Sequence, residues 1–192
     1  MSKTSQTNVE RLRLNFPDAV SKAFAFLSTL GFREAEAAPT IVRYRQGNLL
    51  VNVYHGRHSY ELGFEIGHAA EVYSMSALVR AADTAKADRY RNPVATTPAE
   101  LARGLKQLAD LVKQYGDRAL RDDPAFFSDL RRQRKSWSES YALDVLAEQI
   151  RPKAGAAFRD GRYREAVELY ERIATRLSPA EQRKLAAARK RS

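Results

Sequence analysis

The stretch AGAAFRDGRYREAVELYERIATRLSP, residues 154–179, predicts two helices joined by a tight turn. The small side chains of Ala154 and Ala166 let two antiparallel helices approach closely, and Gly161 suits the turn because glycine adopts positive φ at no steric cost. Apolar residues recur at steps of three and four on the second helix and form one stripe, from which the glutamates are absent. The stripe contains Tyr163, Ala166, Val167, Tyr170, Ile173 and Ala174.

Residues 147–180 resemble a tetratricopeptide repeat. Its small and aromatic packing positions are matched here by Ala154, Gly161, Tyr163, Ala166 and Tyr170. The resemblance implies a protein-binding or scaffolding unit rather than a catalyst. A single repeat cannot bury its own apolar face, so this one is expected to pack against neighbouring helices. The alternative is an ordinary amphipathic hairpin, and in either case the first helix is expected to begin or kink near Pro152.

The composition indicates a globular protein of the reducing cytoplasm. Of the 192 residues, 44% are hydrophobic, including eight Phe and nine Tyr, which is enough to build a core. The chain has no Cys, which excludes disulfides, thiol nucleophiles and cysteine-based zinc sites. No signal peptide is visible at the N-terminus, and no run approaches the ~18 apolar residues of a membrane span. We therefore expect a cytoplasmic protein with no membrane partner.

The N-terminal half predicts an α+β module. A helix over residues 16–30, stopped by Gly31, is followed by a connector over residues 34–39. Alternating apolar residues then predict three strands, which would form a small antiparallel sheet with flanking helices. These strands cover Ile41–Gln46, Leu49–His55 and residues 59–66.

From residue 97 onward the pattern predicts helices only. After a short helix over residues 74–82 and an exposed loop over 83–96, Thr97 and Glu100 form a capping box for a long helix over residues 98–120. The next helix is expected after Pro124.

Ser138 is expected to cap a further helix, which would bury Tyr141, Leu146, Ile150 and either Leu143 or Val145. A polar helix over residues 179–189 would end the chain. We divide the sequence into an α+β module, residues 1–121, and a helical region with the repeat-like hairpin, residues 122–192.

No enzymatic motif is present, so we expect no catalytic residue, no cofactor and no metal. His55 and His58 bracket a strand turn and could bind a metal together, but a site needs further ligands, and surface turn histidines are the simpler interpretation. Glu61 and Glu65 lie four apart on a predicted strand. Paired carboxylates can perform acid–base chemistry, but alternating Glu on the wet face of a sheet is the commoner arrangement.

The positive charge is concentrated in the second half of the chain. Residues 1–99 carry a net charge of +3 and residues 100–192 a net charge of +7. The strongest candidate for a binding patch contains Arg131, Arg132, Arg134, Lys135 and Trp137. It could contact phosphates through the cations and stack a base on the indole. The alternative is a solvated helix end, with Trp137 in the core.

Residues 16–82 resemble small α+β proteins of bacterial toxin–immunity loci. The residues that carry this resemblance are Leu27, Gly31, Phe32, Tyr44, Arg45, Val51, Val53, Arg57, Ser59, Tyr60, Glu61 and Ile66. It implies a non-enzymatic protein that binds one partner protein tightly. Immunity proteins that neutralise nucleases tend to be acidic, whereas this chain has a net charge of +10. Its partner should therefore be acidic or meet it through apolar contacts.

Together these observations predict a cytoplasmic bacterial protein–protein interaction module that covers the surface of a partner protein. The partner-binding candidates are the five residues of the basic patch together with Arg57, Glu61 and Glu65. The alternative is a nucleic-acid-associated protein that binds through its basic C-terminal helices.

Overall fold

The computed structural model describes residues 13–56 and 59–192. In these residues the chain is α+β, with one antiparallel sheet followed by a helical C-terminal part. The chain divides into two compact units, Met1–Arg131 and Arg132–Ser192. The division lies ten residues beyond the predicted one at residues 121 and 122, inside a helix.

The first unit contains the sheet and six short or medium helices among the described residues. In chain order these elements are α1 (Phe16–Ala23), α2 (Phe26–Thr29), β1 (Arg33–Ala38), β2 (Ile41–Gln46), β3 (Leu49–His55), β4 (Leu62–His68), β5 (Glu71–Ser74), α3 (Met75–Ala82), α4 (Thr84–Arg89), α5 (Pro98–Tyr115) and α6 (Asp117–Leu120). The following helix, α7 (Pro124–Arg159), begins in the first unit and continues into the second.

The sheet has five strands in sequential order, β1 to β5, and the prediction of about three strands was wrong. The predicted bounds of β2 and β3 are confirmed, and the third predicted strand lies at Leu62–His68. Strand β1 was predicted as a connector. Its sequence, REAEAA, has no apolar alternation because nearly every side chain is exposed, so only its pairing with β2 identifies it as a strand. Strand β5 has four residues, too few for a periodic signal.

One face of the sheet carries the core of the first unit. Tyr44, Val51, Ile66 and Tyr73 stand directly opposite one another on four adjacent strands, and all are buried. Helix α1 packs on this face and on α5, and the Phe24 ring stacks on Phe64 with centroids 6.1 Å apart. The alternation of buried and half-buried residues along β3 is that of a strand with one face covered.

The predicted helix over residues 16–30 is divided into α1 and α2. The break falls at Phe24 and Ala25, where the Phe24 ring is completely buried. The predicted loop over residues 83–96 was only partly right. It contains α4, and its last part is tied to the sheet, since Leu62 donates a backbone hydrogen bond to the Pro93 carbonyl at 2.7 Å.

The capping box that begins α5 is confirmed. Glu100 donates its backbone N–H to the Thr97 hydroxyl at 3.3 Å, and its carboxylate accepts from the Thr97 backbone at 3.1 Å. Hydrogen bonds from Thr96 and Thr97 lower the pKa of the Glu100 carboxyl. The helix ends at Tyr115 rather than at residue 120, because the chain is interrupted at Gly116 before α6 begins.

Helix α7 is one continuous helix of 36 residues. Ser138 therefore does not cap a new helix, and the helix neither begins nor ends at Pro152. The first part of α7 is buried in the first unit, the last part is buried in the second unit, and the residues between them are exposed. The sequence pattern therefore looked like that of separate helices.

The second unit consists of the remainder of α7, α8 (Tyr163–Glu171), a short 3₁₀ turn (Ala174–Arg176) and α9 (Pro179–Arg189), whose predicted bounds are confirmed. Its core is built mainly from alanines, which permit close helix packing, together with Ile150, Tyr170 and Ile173. Gly161 has φ 76° in the turn between α7 and α8, as the predicted hairpin requires. None of the described helices has a stretch both long and apolar enough to cross a lipid bilayer.

Candidate interaction surface

The predicted basic patch lies on α7, and all five of its residues are exposed. Arg131 belongs to the first unit, whereas Arg132, Arg134, Lys135 and Trp137 belong to the second. Residues 134–139 are exposed without interruption, so this part of the helix presents side chains in every direction.

Arg131 already has a carboxylate partner within the first unit. Its Nε and Nη2 donate to Oε2 of Glu71 on β5 at 3.1 and 2.9 Å. This contact raises the pKa of the Arg131 guanidinium. The Glu71 carboxylate also accepts a hydrogen bond from the Tyr73 hydroxyl at 2.7 Å. Arg131 therefore anchors the beginning of α7 to the sheet, and we remove it from the candidate surface.

Trp137 is not a core residue, contrary to one of the two interpretations of the sequence. Its side chain is 58% exposed and stacks on Tyr141, which is 59% exposed, with the ring planes 12° apart and the centroids separated by 5.6 Å. Val145, one further helical turn along, is 36% exposed. The prediction that Tyr141 is buried was wrong, because the core of the second unit lies on another side of α7. Of the two alternatives Leu143 and Val145, Val145 is exposed and Leu143 is half-buried.

The two sides of this part of α7 differ in burial. Ala147, Ile150 and Ala154 face the core of the second unit, and on a helix their positions lie roughly half a turn away from that of Tyr141. We define the exposed stripe as Trp137, Tyr141 and Val145, which follow one another at intervals of four residues. Among the described residues it contains three of the five large apolar side chains that are exposed.

The acidic residues beside the exposed stripe are engaged within the protein. The Asp144 carboxylate accepts from Nε of Arg176 at 2.6 Å, and the same guanidinium donates to the Ser140 hydroxyl at 2.6 Å. Glu139 lies 4.0 Å from the Lys135 ammonium. The stripe therefore has cations at its N-terminal end, while two of its neighbouring carboxylates are neutralised by intramolecular pairs.

Glu65 lies on the open face of the sheet, as predicted, but Glu61 precedes β4. The open face carries a row of polar residues, Arg43, Asn52, Glu65 and Ser74, across four strands. Asn52 donates to the Glu65 carboxylate at 3.4 Å. Glu61 forms an isolated bridge with Val94 through its backbone. A row of polar side chains is typical of a sheet face that is open to solvent. No contact between the carboxylates of Glu61 and Glu65 is seen.

Two tyrosines, Tyr54 on this face and Tyr90 after α4, had no functional role in the sequence analysis. The Tyr54 ring covers Gly63 on the adjacent strand, where any Cβ would lie 2.0 Å from its Cζ. Burial, followed by the nearby Glu65 and Glu61 carboxylates, raises the pKa of the Tyr54 hydroxyl. Burial first, and then Tyr54 and Glu61, raises the pKa of Tyr90 to about 12. A glycine inside an alternating strand was the available signal, since it often marks a close approach.

His55 is buried within the first unit rather than exposed at a turn. His55 is 1% exposed, so the prediction of a surface histidine was wrong. Its Nε2 lies 2.8 Å from the Ala95 carbonyl, and its ring stacks on Phe16. Arg57 and His58 lie outside the described residues. Among the residues that are described, no group of three or more His, Cys, Asp or Glu is placed to hold a metal ion.

Comparisons of the chain with protein families, curated proteins and solved structures gave no significant match.

Proposed function

We propose that this protein is a non-enzymatic, cytoplasmic bacterial protein–protein interaction module whose binding surface is the exposed stripe of α7. One observation carries the proposal: Trp137 and Tyr141 are each more than half exposed and lie stacked on the same side of the helix. Large aromatic side chains contribute most of the energy of protein interfaces when they are covered, and leaving them in water is costly.

The packing of the second unit supports a scaffolding role. Ala154 and Ala166, two of the residues that resemble a tetratricopeptide repeat, are completely buried, and Tyr170 is 1% exposed. A helix held from one side by such packing can present its other side as a rigid surface. The immunity-like role is part of this proposal. In that role the chain would bind one partner protein and block part of its surface sterically.

The charge of the second unit indicates the chemistry of the partner. Between Arg132 and Ser192 there are 15 Lys and Arg against 8 Asp and Glu, a net charge of +7. A surface that combines this charge with exposed aromatic rings favours a partner with an apolar patch and acidic residues beside it.

Capture from lysate of the native host tests the proposal. The tagged protein is compared with the Trp137→Ala/Tyr141→Ala double variant at low and high salt, with and without nuclease. We expect one protein to be retained under all conditions and lost with the double variant. The matched control is Leu30→Ala/Val94→Ala, which truncates two exposed apolar side chains elsewhere. Equal retention by both double variants would show that the exposed stripe is not the binding surface.

The alternative function is nucleic-acid association, which is favoured by the same stacked rings beside Arg132, Arg134 and Lys135. Phosphate contacts predict a steep loss of affinity with rising salt, and bases could stack on the outer faces of the rings. Recovery of nucleic acid, or of proteins that disappear on nuclease treatment, would favour this alternative. A protein retained at high salt after nuclease treatment would exclude it as the main activity of the surface.

A further inference from the structure

We propose that Arg33 and Arg45 form a phosphate-binding site on the open face of the sheet, and that the ligand of this site is a small phosphate monoester. The two arginines lie on β1 and β2, at one edge of the sheet. The site belongs to the first unit, whereas the exposed stripe belongs to the second. The inference therefore goes beyond the proposed function and does not rest on it.

The two arginines stand directly opposite each other. Arg33 is the antiparallel partner of Arg45 in the register of β1 and β2, so their side chains leave the same face of the sheet with Cβ atoms about 4.5–5.5 Å apart. Arg45 shares that face with Arg43, two residues away on β2, while the Tyr44 side chain between them enters the core. Like charges placed directly opposite each other destabilise a pair of strands.

Neither arginine of this pair has an acidic partner within residues 13–56 and 59–192. Both side chains are exposed, and neither takes part in a hydrogen bond or an ion pair there. The Glu36 carboxylate lies on the same face, but it forms an ion pair with Arg43. Glu34 leaves the other face, where it stands opposite Tyr44. The pair therefore carries two positive charges that the described residues do not neutralise.

A β-bulge in β1 produces this arrangement. The register shifts between Glu34 and Glu36, which leaves Ala35 without an opposite residue. Strict alternation would place Glu36 on the core face, whereas the bulge places it opposite Arg43 on the open face. The bulge thus supplies a carboxylate to Arg43 and none to the arginine pair. Bulges at sheet edges commonly aim side chains in this way beside functional sites.

The number and shape of the two cations indicate a phosphate group. A guanidinium is a planar fork of N–H donors that binds two oxygens of an oxyanion. Two forks therefore match a group with three acceptor oxygens and a charge of about −2, which a phosphate monoester has at neutral pH. A carboxylate, with one charge and two oxygens, is matched by a single arginine. A phosphate held by both arginines would also cancel the repulsion between them.

A cavity beside Arg45 has room for the organic part of the ligand. Its volume is about 540 Å³, within the range of small-molecule sites. Half-buried Leu50 stands directly opposite Arg45 on β3 and offers an apolar surface, and the Asn48 amide can donate and accept hydrogen bonds. The His68 imidazole is already paired with Asp122 at 3.0 Å. The lining residues are Arg45, Asn48, Leu50, His68 and Ala69.

NMR titration of the isotope-labelled full chain tests the site. The probes are inorganic phosphate and phenyl phosphate, each compared with potassium chloride at equal ionic strength. The Nε–H signals of Arg33 and Arg45 should shift saturably with phosphate, with a dissociation constant on the order of millimolar because the site is exposed. Shifts that chloride reproduces would overturn the inference.

Phenyl phosphate distinguishes a phosphate monoester from free phosphate as the ligand. It should bind roughly threefold to tenfold more tightly than inorganic phosphate, because its ring covers the side chain of Leu50. Signals of Leu50 and Asn48 should then shift together with those of the two arginines. Equal dissociation constants for the two probes would overturn the monoester as the ligand.

Substitution of either arginine tests whether both forks are used. Arg33→Gln and Arg45→Gln should each raise the dissociation constant for phosphate roughly tenfold, since each leaves one fork. The matched control is Arg103→Gln, which removes an exposed arginine of α5 and changes the net charge equally. It should leave the constant unchanged. An equal loss of binding in the control would indicate a general charge effect and would overturn the site.

Thermal unfolding separates a binding role of the pair from a structural one. In the absence of phosphate, Arg45→Gln should unfold roughly 1–3 °C above the unsubstituted chain, because the repulsion between the arginines is removed. Phosphate should raise the midpoint of the unsubstituted chain by more than that of Arg45→Gln. A lower midpoint for Arg45→Gln without phosphate would show that Arg45 stabilises the sheet by itself, and it would overturn the inference.

Discussion

Gly67 lies on β4 where the backbone of β5 leaves no room for a side chain. A Cβ at this position would lie 2.2 Å from the Glu71 carbonyl oxygen and 2.9 Å from Val72 Cα, and the residue has φ 156°. Gly67→Ala is therefore expected to lower the free energy of unfolding by roughly 2–4 kcal/mol, because backbone atoms must move. Urea unfolding followed by circular dichroism measures the change.

Gly155 provides the matched control in the second unit. It lies within α7, and a Cβ there would meet only the flexible end of Arg159 at 3.5 Å, an ordinary contact. Gly155→Ala should raise the free energy of unfolding by roughly 0.5–1 kcal/mol, since alanine loses less backbone entropy in a helix. Neutral effects of both substitutions would contradict the close approach of β5 to Gly67 on β4.

The raised pKa of Tyr90 predicts that the protein loses stability at alkaline pH. Burial raises its folded-state pKa to about 12, compared with 10.0 for a free tyrosine, and its hydroxyl donates to Asn92 at 3.0 Å. A folded-state pKa above the unfolded value means that the stabilisation is fully present below pH about 10 and is lost as the pH rises toward about 12. Urea unfolding between these pH values should show a shallower decline for Tyr90→Phe. An identical decline in both proteins would exclude Tyr90 as its source.

At the scale of elements, the local pattern determined the strands β2 and β3 and the capped start of α5. Each has a signal that depends only on near neighbours: apolar alternation around a Gly47 turn, or a threonine and a glutamate three residues apart. Strand β1 could not be predicted, because its exposed Ala and Glu residues favour helix and only hydrogen bonding to β2 holds them extended.

Helix α7 continues through Pro152. We expect this proline to destabilise the helix. Proline has no N–H for the Glu148 carbonyl and its ring crowds the preceding turn. Pro152→Ala should raise the free energy of unfolding by roughly 1–3 kcal/mol. Pro124→Ala is the control: Pro124 is the first residue of the helix, where no N–H is required, and the change should be small. Thermal and urea unfolding of both variants measure these changes. An unchanged free energy of unfolding in Pro152→Ala would contradict this explanation.

The whole molecule has two separate cores within the described residues. The apolar core of the first unit extends from Leu14 to Leu130, and that of the second from Ala147 to Ala188, with no residue in common. We therefore expect a chain ending at Arg131 to keep its sheet and unfold cooperatively without the second unit. Circular dichroism and hydrogen exchange of the shortened chain would show this directly.

A chain ending at residue 121 tests where the first unit ends. It lacks Phe126, Phe127 and Leu130, which are buried in the first core, and Phe127 contacts the rings of His68 and Tyr73. Loss of these side chains should cost roughly 3–5 kcal/mol or more relative to the chain ending at Arg131. Equal stability of the two shortened chains would place the boundary at residue 121, as the sequence suggested.

The exposed stripe illustrates why the candidate surface could be predicted only in part. The sequence indicated the cations and Trp137 as a candidate patch, but it placed Tyr141, with either Leu143 or Val145, in a core, because apolar residues at steps of three and four are the usual pattern of a buried helix face. The same pattern is expected of the partner-binding surface that we propose. Periodicity states which residues share a side of a helix, and it contains no information about what covers that side.

The sequence alone determined the α+β class, the central strands, the helical C-terminal part and the close-packed hairpin, because each depends on residues within a few positions of one another. Only the tertiary structure decided the number of strands, the burial of His55, the continuity of α7 and the exposure of the aromatic stripe. These features depend on which segments meet across long distances in the chain. Burial and strand pairing are properties of the assembled fold, and no local pattern encodes them.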